Sequence, residues 1–96
     1  MANIFGSGLV KVFDPSWKVK EVRNFNEEEQ AAIERAEVRP SEYGTSVCFH
    51  MKGGGMAFIP TSNNTEAAVG QVVDMEKSEL MTLERDGKEI VRVVVR

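Results

Sequence analysis

One stretch in the middle of the chain limits the fold more than any other. Residues 45–51 alternate between two faces, as the side chains of a half-buried strand do. One face carries Thr45, Val47, Phe49 and Met51, and the other carries Ser46, Cys48 and His50. Lys52 and a glycine run, 53–55, then lead into a returning β-forming segment, 56–59, which Pro60 closes. The sequence therefore predicts a β-hairpin here.

Further strands are predicted on both sides of this hairpin. The β-forming segments 80–83 and 90–95 flank Asp86-Gly87, the dipeptide that best suits the left-handed turn of a second tight hairpin. A run from Trp17 to Arg23 alternates apolar and charged residues, which predicts a strand with one solvated face. Gly70 opens another predicted strand, which continues from Gln71 to Met75.

A single short helix is predicted between the early and the later strands. Asn26 is a good N-cap, and Glu29 stands at the capping-box position three residues later. The acidic first turn suits the positive end of the helix dipole. Because Pro40 disfavours helical geometry in the residue before it, the helix is expected to cover 26–37 and no more.

These elements predict one domain over residues 1–96. N-terminal strands (1–24, the first ending at Asp14-Pro15) and the helix (26–37) precede a barrel-like core (38–96). The expected fold class is mainly β (α+β): a small five- to six-stranded antiparallel barrel or roll with one short N-terminal helix. A chain of this size buries about 60–65% of its unfolded surface, so a deep polar pocket is not expected.

Composition restricts the chemistry. Cys48 is the single cysteine and His50 the single histidine, so the residues suggest neither a zinc site, nor a disulfide, nor a Ser-His-Asp relay. We therefore expect no enzyme activity, no metal and no cofactor. With no apolar run near ~18 residues, no membrane association is expected, and the predicted compartment is the cytoplasm.

The stretch from Glu37 to Val95 resembles an oligonucleotide-binding (OB) or S1-like small barrel. A little over half of the chain follows that order of elements: the Tyr43-Gly44 turn, the 46–51 strand, the glycine hairpin, Phe58-Ile59-Pro60, and the segment 69–74. The resemblance implies an OB-like barrel whose surface binds single-stranded nucleic acid, with aromatic rings stacked on bases and cations along the backbone.

Six residues are candidates for that surface. Arg39, Tyr43, His50 and Lys52 lie on or beside the central hairpin, and Trp17 and Lys18 extend the strip from the N-terminal strand. For Trp17 and Tyr43 the alternative is packing in the core, and for His50 it is a half-exposed place on a strand.

A protein partner is the rival to nucleic acid. The net charge of −3 and the acidic residues of the helix and the later segments suggest a protein-interaction module. Such a module includes a small inhibitor that acts on a nucleic-acid enzyme through an acidic face or an edge strand. The apolar strand 90–95 is the expected edge for a homo-oligomer, which would raise avidity for a long ligand.

Overall fold

A computed structural model of the protein describes residues 16–42, 44–62 and 67–96. They form six strands and one helix: β1 (Lys18–Asn24), α1 (Glu27–Ala32), β2 (Ile33–Ser41), β3 (Gly44–Met51), β4 (Met56–Pro60), β5 (Glu79–Arg85) and β6 (Lys88–Val94). The strands make two three-stranded antiparallel sheets, with the orders β1-β5-β6 and β2-β3-β4. The predicted mainly β class with one short helix is confirmed.

The predicted five- to six-stranded antiparallel barrel or roll is confirmed only in part, because the six antiparallel strands form two separate sheets and not a closed barrel. Between the two sheets, the described residues contain one isolated parallel bridge, Thr61 to Val93, where the Ser62 amide donates to the Val93 carbonyl at 2.8 Å. A barrel would need a continuous ladder along this seam.

Both predicted hairpins are present. In the first, β3 and β4 pair through residues 46–60, and Gly54 and Gly55 adopt φ values of 96° and 86° in the turn. In the second, Asp86 and Gly87 have φ values of 50° and 80°, the left-handed pair that a two-residue turn needs to match the strand twist. The strand predicted from Trp17 to Arg23 is β1, displaced by one residue.

The main core joins one face of each sheet. Its buried members are Phe25, Ala36, Val38, Val47, Phe49, Val73, Leu80, Val93 and Val95. The rings of Phe25 and Phe49 are tilted, with 5.8 Å between their centroids, which places the end of β1 against β3. A second buried cluster lies on the other face of the β1-β5-β6 sheet and consists of Trp17, Met81, Leu83 and Ile90.

The helix predicted over 26–37 is too long. It begins as expected, because the Asn26 side chain accepts from the Glu29 amide and the Glu29 carboxylate accepts from the Asn26 amide. It ends at Ala32, and Ile33 is already extended. An isolated six-residue helix with no buried side chain has little tertiary support. Residues 33–41 instead pair with β3 along their whole length.

The strand predicted over 70–75 is also wrong. Residues 70–73 run beside the edge of β2, where the Val38 amide donates to Gln71 and the Val73 amide donates to Ala36, both at 2.9 Å. One isolated bridge, Glu37 to Val72, forms there. Asp74 then ends the pairing, because its carboxylate accepts hydrogen bonds from the amides of Glu76 and Lys77 and turns the chain.

Some predictions fall on other parts of the chain. The strand expected before Asp14-Pro15 and the side chain of Tyr43 lie outside the described residues. Within the described ranges, no helix has the length and apolar character to cross a membrane.

Candidate functional site

Two of the six candidate residues, Arg39 and His50, lie on one face of the β2-β3-β4 sheet. The core takes the inward side chains of these strands, so the alternate side chains point away from it. We call this side the outer face, which consists of Arg35, Glu37 and Arg39 on β2, Ser46, Cys48 and His50 on β3, and Met56 and Phe58 on β4. In register, Arg35 is opposite His50 and Glu37 is opposite Cys48, which is itself opposite Phe58.

A half-buried polar network occupies the centre of the outer face. His50 Nε2 donates to Glu37 Oε1 at 2.8 Å, and Arg39 Nη2 donates to the same oxygen at 2.7 Å. Arg35 Nη1 lies 3.6 Å from Glu37 Oε2. The hydrogen bond from His50, together with the Arg39 guanidinium, lowers the pKa of Glu37 to about 2. Glu37 is therefore a carboxylate at neutral pH.

Cys48 lies beneath this network and is fully buried. Its Sγ is 3.7 Å from His50 Nε2, the nitrogen that also faces Glu37. The ligand-capable atoms of Glu37, Cys48 and His50 all lie within 4.8 Å of one another. Three metal-ligating side chains thus converge at a place where the sequence suggested none.

Sequence reasoning missed Glu37 because it placed that residue in the helix. Once residues 33–41 are known to be a strand paired with β3, the alternation of Arg35, Glu37 and Arg39 puts all three beside Cys48 and His50. The available signal was the period-two pattern over 35–39, which agrees with a strand and not with a helix.

The outer face also exposes apolar side chains. Phe58 is 42% exposed and Met56 is 58% exposed. Val72, across the Glu37 bridge, is 72% exposed. Phe58 and Met56 were not among the sequence candidates. In the observed register Met56 is opposite His50 and Phe58 is opposite Cys48, so both lie on the same face as His50.

The remaining candidates are distributed over the molecule. Lys52 follows β3 directly; it is exposed, and its amide donates to the Ala32 carbonyl at 3.0 Å. Lys18 is exposed on β1, in the other sheet, and does not join the outer face. Trp17 is 8% exposed, and the Arg85 guanidinium covers its ring at 4.6 Å from the centroid. A base could stack on this indole only after Arg85 had moved.

The acidic residues are largely engaged within the fold. Glu29 receives two hydrogen bonds from the Arg23 guanidinium, at 2.8 and 2.9 Å. Glu79 pairs with Arg96 at 2.7 Å. Asp74 accepts from backbone amides. The described acids therefore do not form one surface of a single sign.

Comparison of the chain with protein-family models, with curated proteins and with solved structures found no match. The functional argument therefore depends on the geometry of the outer face.

Proposed function

We propose that this protein is a non-enzymatic module that binds single-stranded nucleic acid through the outer face. The observation that supports the proposal is the position of an exposed ring, Phe58, on the same face as Arg35 and Arg39. Strands β2 and β4 are two strand spacings apart, about 10 Å. One nucleotide strand can then place its backbone along the guanidinium groups while a base stacks on Phe58.

The local charge of the outer face suits weak, salt-sensitive binding of a nucleic acid. Arg35 and Arg39 are exposed cations on the outer face, and Lys52 is an exposed cation directly after the end of β3. Glu37 offsets part of the charge of the two arginines. Three phosphate contacts on a single strand predict a salt slope of about −2, so affinity should fall roughly 20-fold between ~50 and ~200 mM salt. The net charge of −3 belongs to the whole chain and does not describe this face.

The arrangement of Cys48 and His50 favours binding over catalysis. A cysteine–histidine relay uses the two ring nitrogens separately, one for the nucleophile and one for the orienting group. Here Cys48 and Glu37 approach the same nitrogen, Nε2. In addition, the Cys48 thiol is buried, where a substrate carbonyl does not reach it.

Fluorescence anisotropy of a labelled single-stranded oligonucleotide tests the proposal. The double variant Arg35→Gln/Arg39→Gln should bind about 10-fold to 30-fold more weakly at ~50 mM salt, because two phosphate contacts are lost. The double variant Lys18→Gln/Lys88→Gln removes the same charge from the other sheet and is the matched control. We expect it to bind almost as the unaltered protein does.

An equal effect of the two double variants would mean that binding depends on total charge, and the outer-face assignment would then be wrong. No binding of the unaltered protein at ~50 mM salt would overturn nucleic-acid binding altogether. That result would favour the second hypothesis, a protein-interaction module. The exposed Met56, Phe58 and Val72 would then be the first residues to examine.

Self-association through β6 would increase avidity for a longer oligonucleotide. Strand β6 is at the edge of its sheet, and the Ser62 amide already occupies the Val93 carbonyl on that edge. A dimer through β6 would use the remaining edge groups. Sedimentation at several protein concentrations, with and without oligonucleotide, measures it directly.

A further inference from the structure

We propose that Glu37, Cys48 and His50 form a binding site for a divalent ion of the zinc type. The proposal rests on the convergence of a thiol, an imidazole and a carboxylate on the outer face, and it does not depend on nucleic-acid binding. All three ligand atoms lie within 4.8 Å of one another, although Glu37 is distant from the other two in sequence.

Two of the three ligand separations are close to those of a tetrahedral site, and the third, from Cys48 to Glu37, is within 4.8 Å. Bonds of about 2.3 Å to sulfur and about 2.0 Å to nitrogen or oxygen place neighbouring ligand atoms roughly 3.3–3.6 Å apart. The separation of Cys48 Sγ from His50 Nε2 is 3.7 Å, which already fits. His50 Nε2 and Glu37 Oε1 are 2.8 Å apart, so an ion must separate them by about half an ångström. Side-chain torsions can supply a movement of this size.

The shared nitrogen is the feature that a hydrogen-bonded network explains least well. One Nε2–H can donate to Glu37, and the sulfur of Cys48 then adds little to the same nitrogen. A metal ion uses the same convergence fully once the proton of His50 Nε2 has moved to Nδ1 and the Cys48 thiol has released its proton to solvent, because each ligand then directs a lone pair to a common point. Pairing of β3 with strands on both sides holds Cys48 and His50 in place.

The ligand set selects the ion. A thiolate and an imidazole favour zinc over magnesium or calcium, which prefer oxygen ligands throughout. Three protein ligands leave a fourth position for water or an anion. Entry is from the solvent side, because the side chains of His50 and Glu37 are 19% and 16% exposed.

Two neighbouring arginines compete with the metal ion for the Glu37 carboxylate. Arg39 is hydrogen-bonded to Glu37, and Arg35 is 3.6 Å from the same carboxylate. Both must yield part of this contact when the carboxylate turns to the metal. Arg39→Gln should therefore tighten the binding of the metal ion by up to about fivefold, because Glu37 no longer has to break this ion pair before it binds the metal. Adventitious binding to surface carboxylates would not single out this guanidinium.

Titration of the reduced protein with Co²⁺, in the absence of nucleic acid, tests the site. Co²⁺ adopts the geometry of zinc, and a bond to Cys48 gives a thiolate-to-cobalt charge-transfer band that other ligands do not produce. We expect this band in the unaltered protein and its disappearance when Zn²⁺ is added. Cys48→Ser should abolish the band. Cys48→Ser and His50→Gln should each weaken Zn²⁺ binding by at least about 100-fold, because the loss of a residue that only supports a ligand already lowers metal affinity 10- to 100-fold.

Glu28→Gln is the matched control, because it removes an exposed carboxylate from α1 and should leave Co²⁺ binding unchanged. Circular dichroism establishes that each variant is folded before its titration is interpreted. A folded, unaltered protein without the thiolate band would overturn the proposal. So would a Cys48→Ser variant that retains full affinity for Zn²⁺. Either failure leaves the oligonucleotide titration unaffected, so the two proposals are judged separately.

Discussion

Glu37 on β2 lies directly opposite Cys48 on β3, so the two side chains leave the same side of the sheet. Cys48 nevertheless has no exposed surface, although the outer face points away from the core. Its cross-strand neighbour on the other side is Phe58. Side chains of its own sheet therefore flank the thiol on both sides.

Cys48 should therefore be protected from reagents in the folded protein. We expect a thiol reagent to react with it at least about 100-fold more slowly in native buffer than in denaturing urea, because buried cysteines are inert. Phe58→Ala should increase the native rate, since it removes the neighbour on β4. Val22→Ala, on the other sheet, should not change it. Fast labelling of the unaltered protein would contradict the burial of Cys48.

The hairpins could be predicted from sequence because their signals are local. A glycine run between two β-forming segments, and Asp86-Gly87 between two others, fix the turn and the register together. The capping box of α1 is local as well, and it was predicted correctly. The face assignment of Val47 and Phe49 followed from alternation alone.

The remaining fold and the centre of the site depend on contacts distant in sequence. The residues 33–37 resemble the continuation of a helix, and the partner that makes them a strand is β3. In the same way, the pairing of β1 with β5 separates the strands into two sheets and moves Trp17 and Lys18 away from the outer face. The period-two pattern over 35–39 indicates a strand, but local sequence does not show which strand is its partner, and the same holds for β1.

The Arg23–Glu29 ion pair should make stability depend on acid. The hydrogen bonds from Arg23 lower the pKa of Glu29 below its ordinary value of 4.5. The stabilisation is therefore complete above about pH 4.5 and is lost as pH falls through the lowered pKa. Glu29→Gln should cost about 0.5–1 kcal/mol at pH ~7, and the cost should decrease steadily as pH falls below 4.5, measured by urea unfolding. Glutamine can still accept from the Asn26 amide, so the comparison isolates the charge.

Glu28→Gln is the control for that prediction. Glu28 is the exposed neighbour of Glu29 in the first turn of α1. Its replacement should change the free energy of unfolding by a few tenths of a kcal/mol at most, through the helix dipole. Equal pH dependence in the two variants would show that the dipole, and not Arg23, explains the effect.

The second hairpin should depend on glycine at its turn. Gly87 has a φ of 80°, where a side chain is strained even though the space that a Cβ would occupy is open. Gly87→Ala should therefore destabilise the protein by about 1–2 kcal/mol. Gly53→Ala is the matched control, because its surroundings are equally open and it does not have a positive φ. Equal urea midpoints for the two variants would contradict the turn geometry.

Substitutions of Phe49 and Phe58 should affect the stability of the protein to different degrees. They lie on adjacent strands with opposite orientations: Phe49 is 2% exposed in the main core, and Phe58 is 42% exposed on the outer face. Phe49→Ala should cost about 3–5 kcal/mol, a large share of the stability of a domain this size. Phe58→Ala should cost less, about 1–2 kcal/mol, because 42% of the surface of this residue stays exposed to water in the fold.

For oligonucleotide affinity, by contrast, Phe58→Ala should have the larger effect of the two substitutions. Loss of one stacked base should weaken binding by about 1–3 kcal/mol in Phe58→Ala, measured by anisotropy on protein shown to be folded. Phe58→Tyr retains a ring on which a base can stack, and it should bind almost as the unaltered protein does. If Phe58→Ala binds normally while Arg35→Gln/Arg39→Gln does not, the face contacts phosphates without stacking. Binding would then be electrostatic, and its affinity should not distinguish a single strand from a duplex of equal charge.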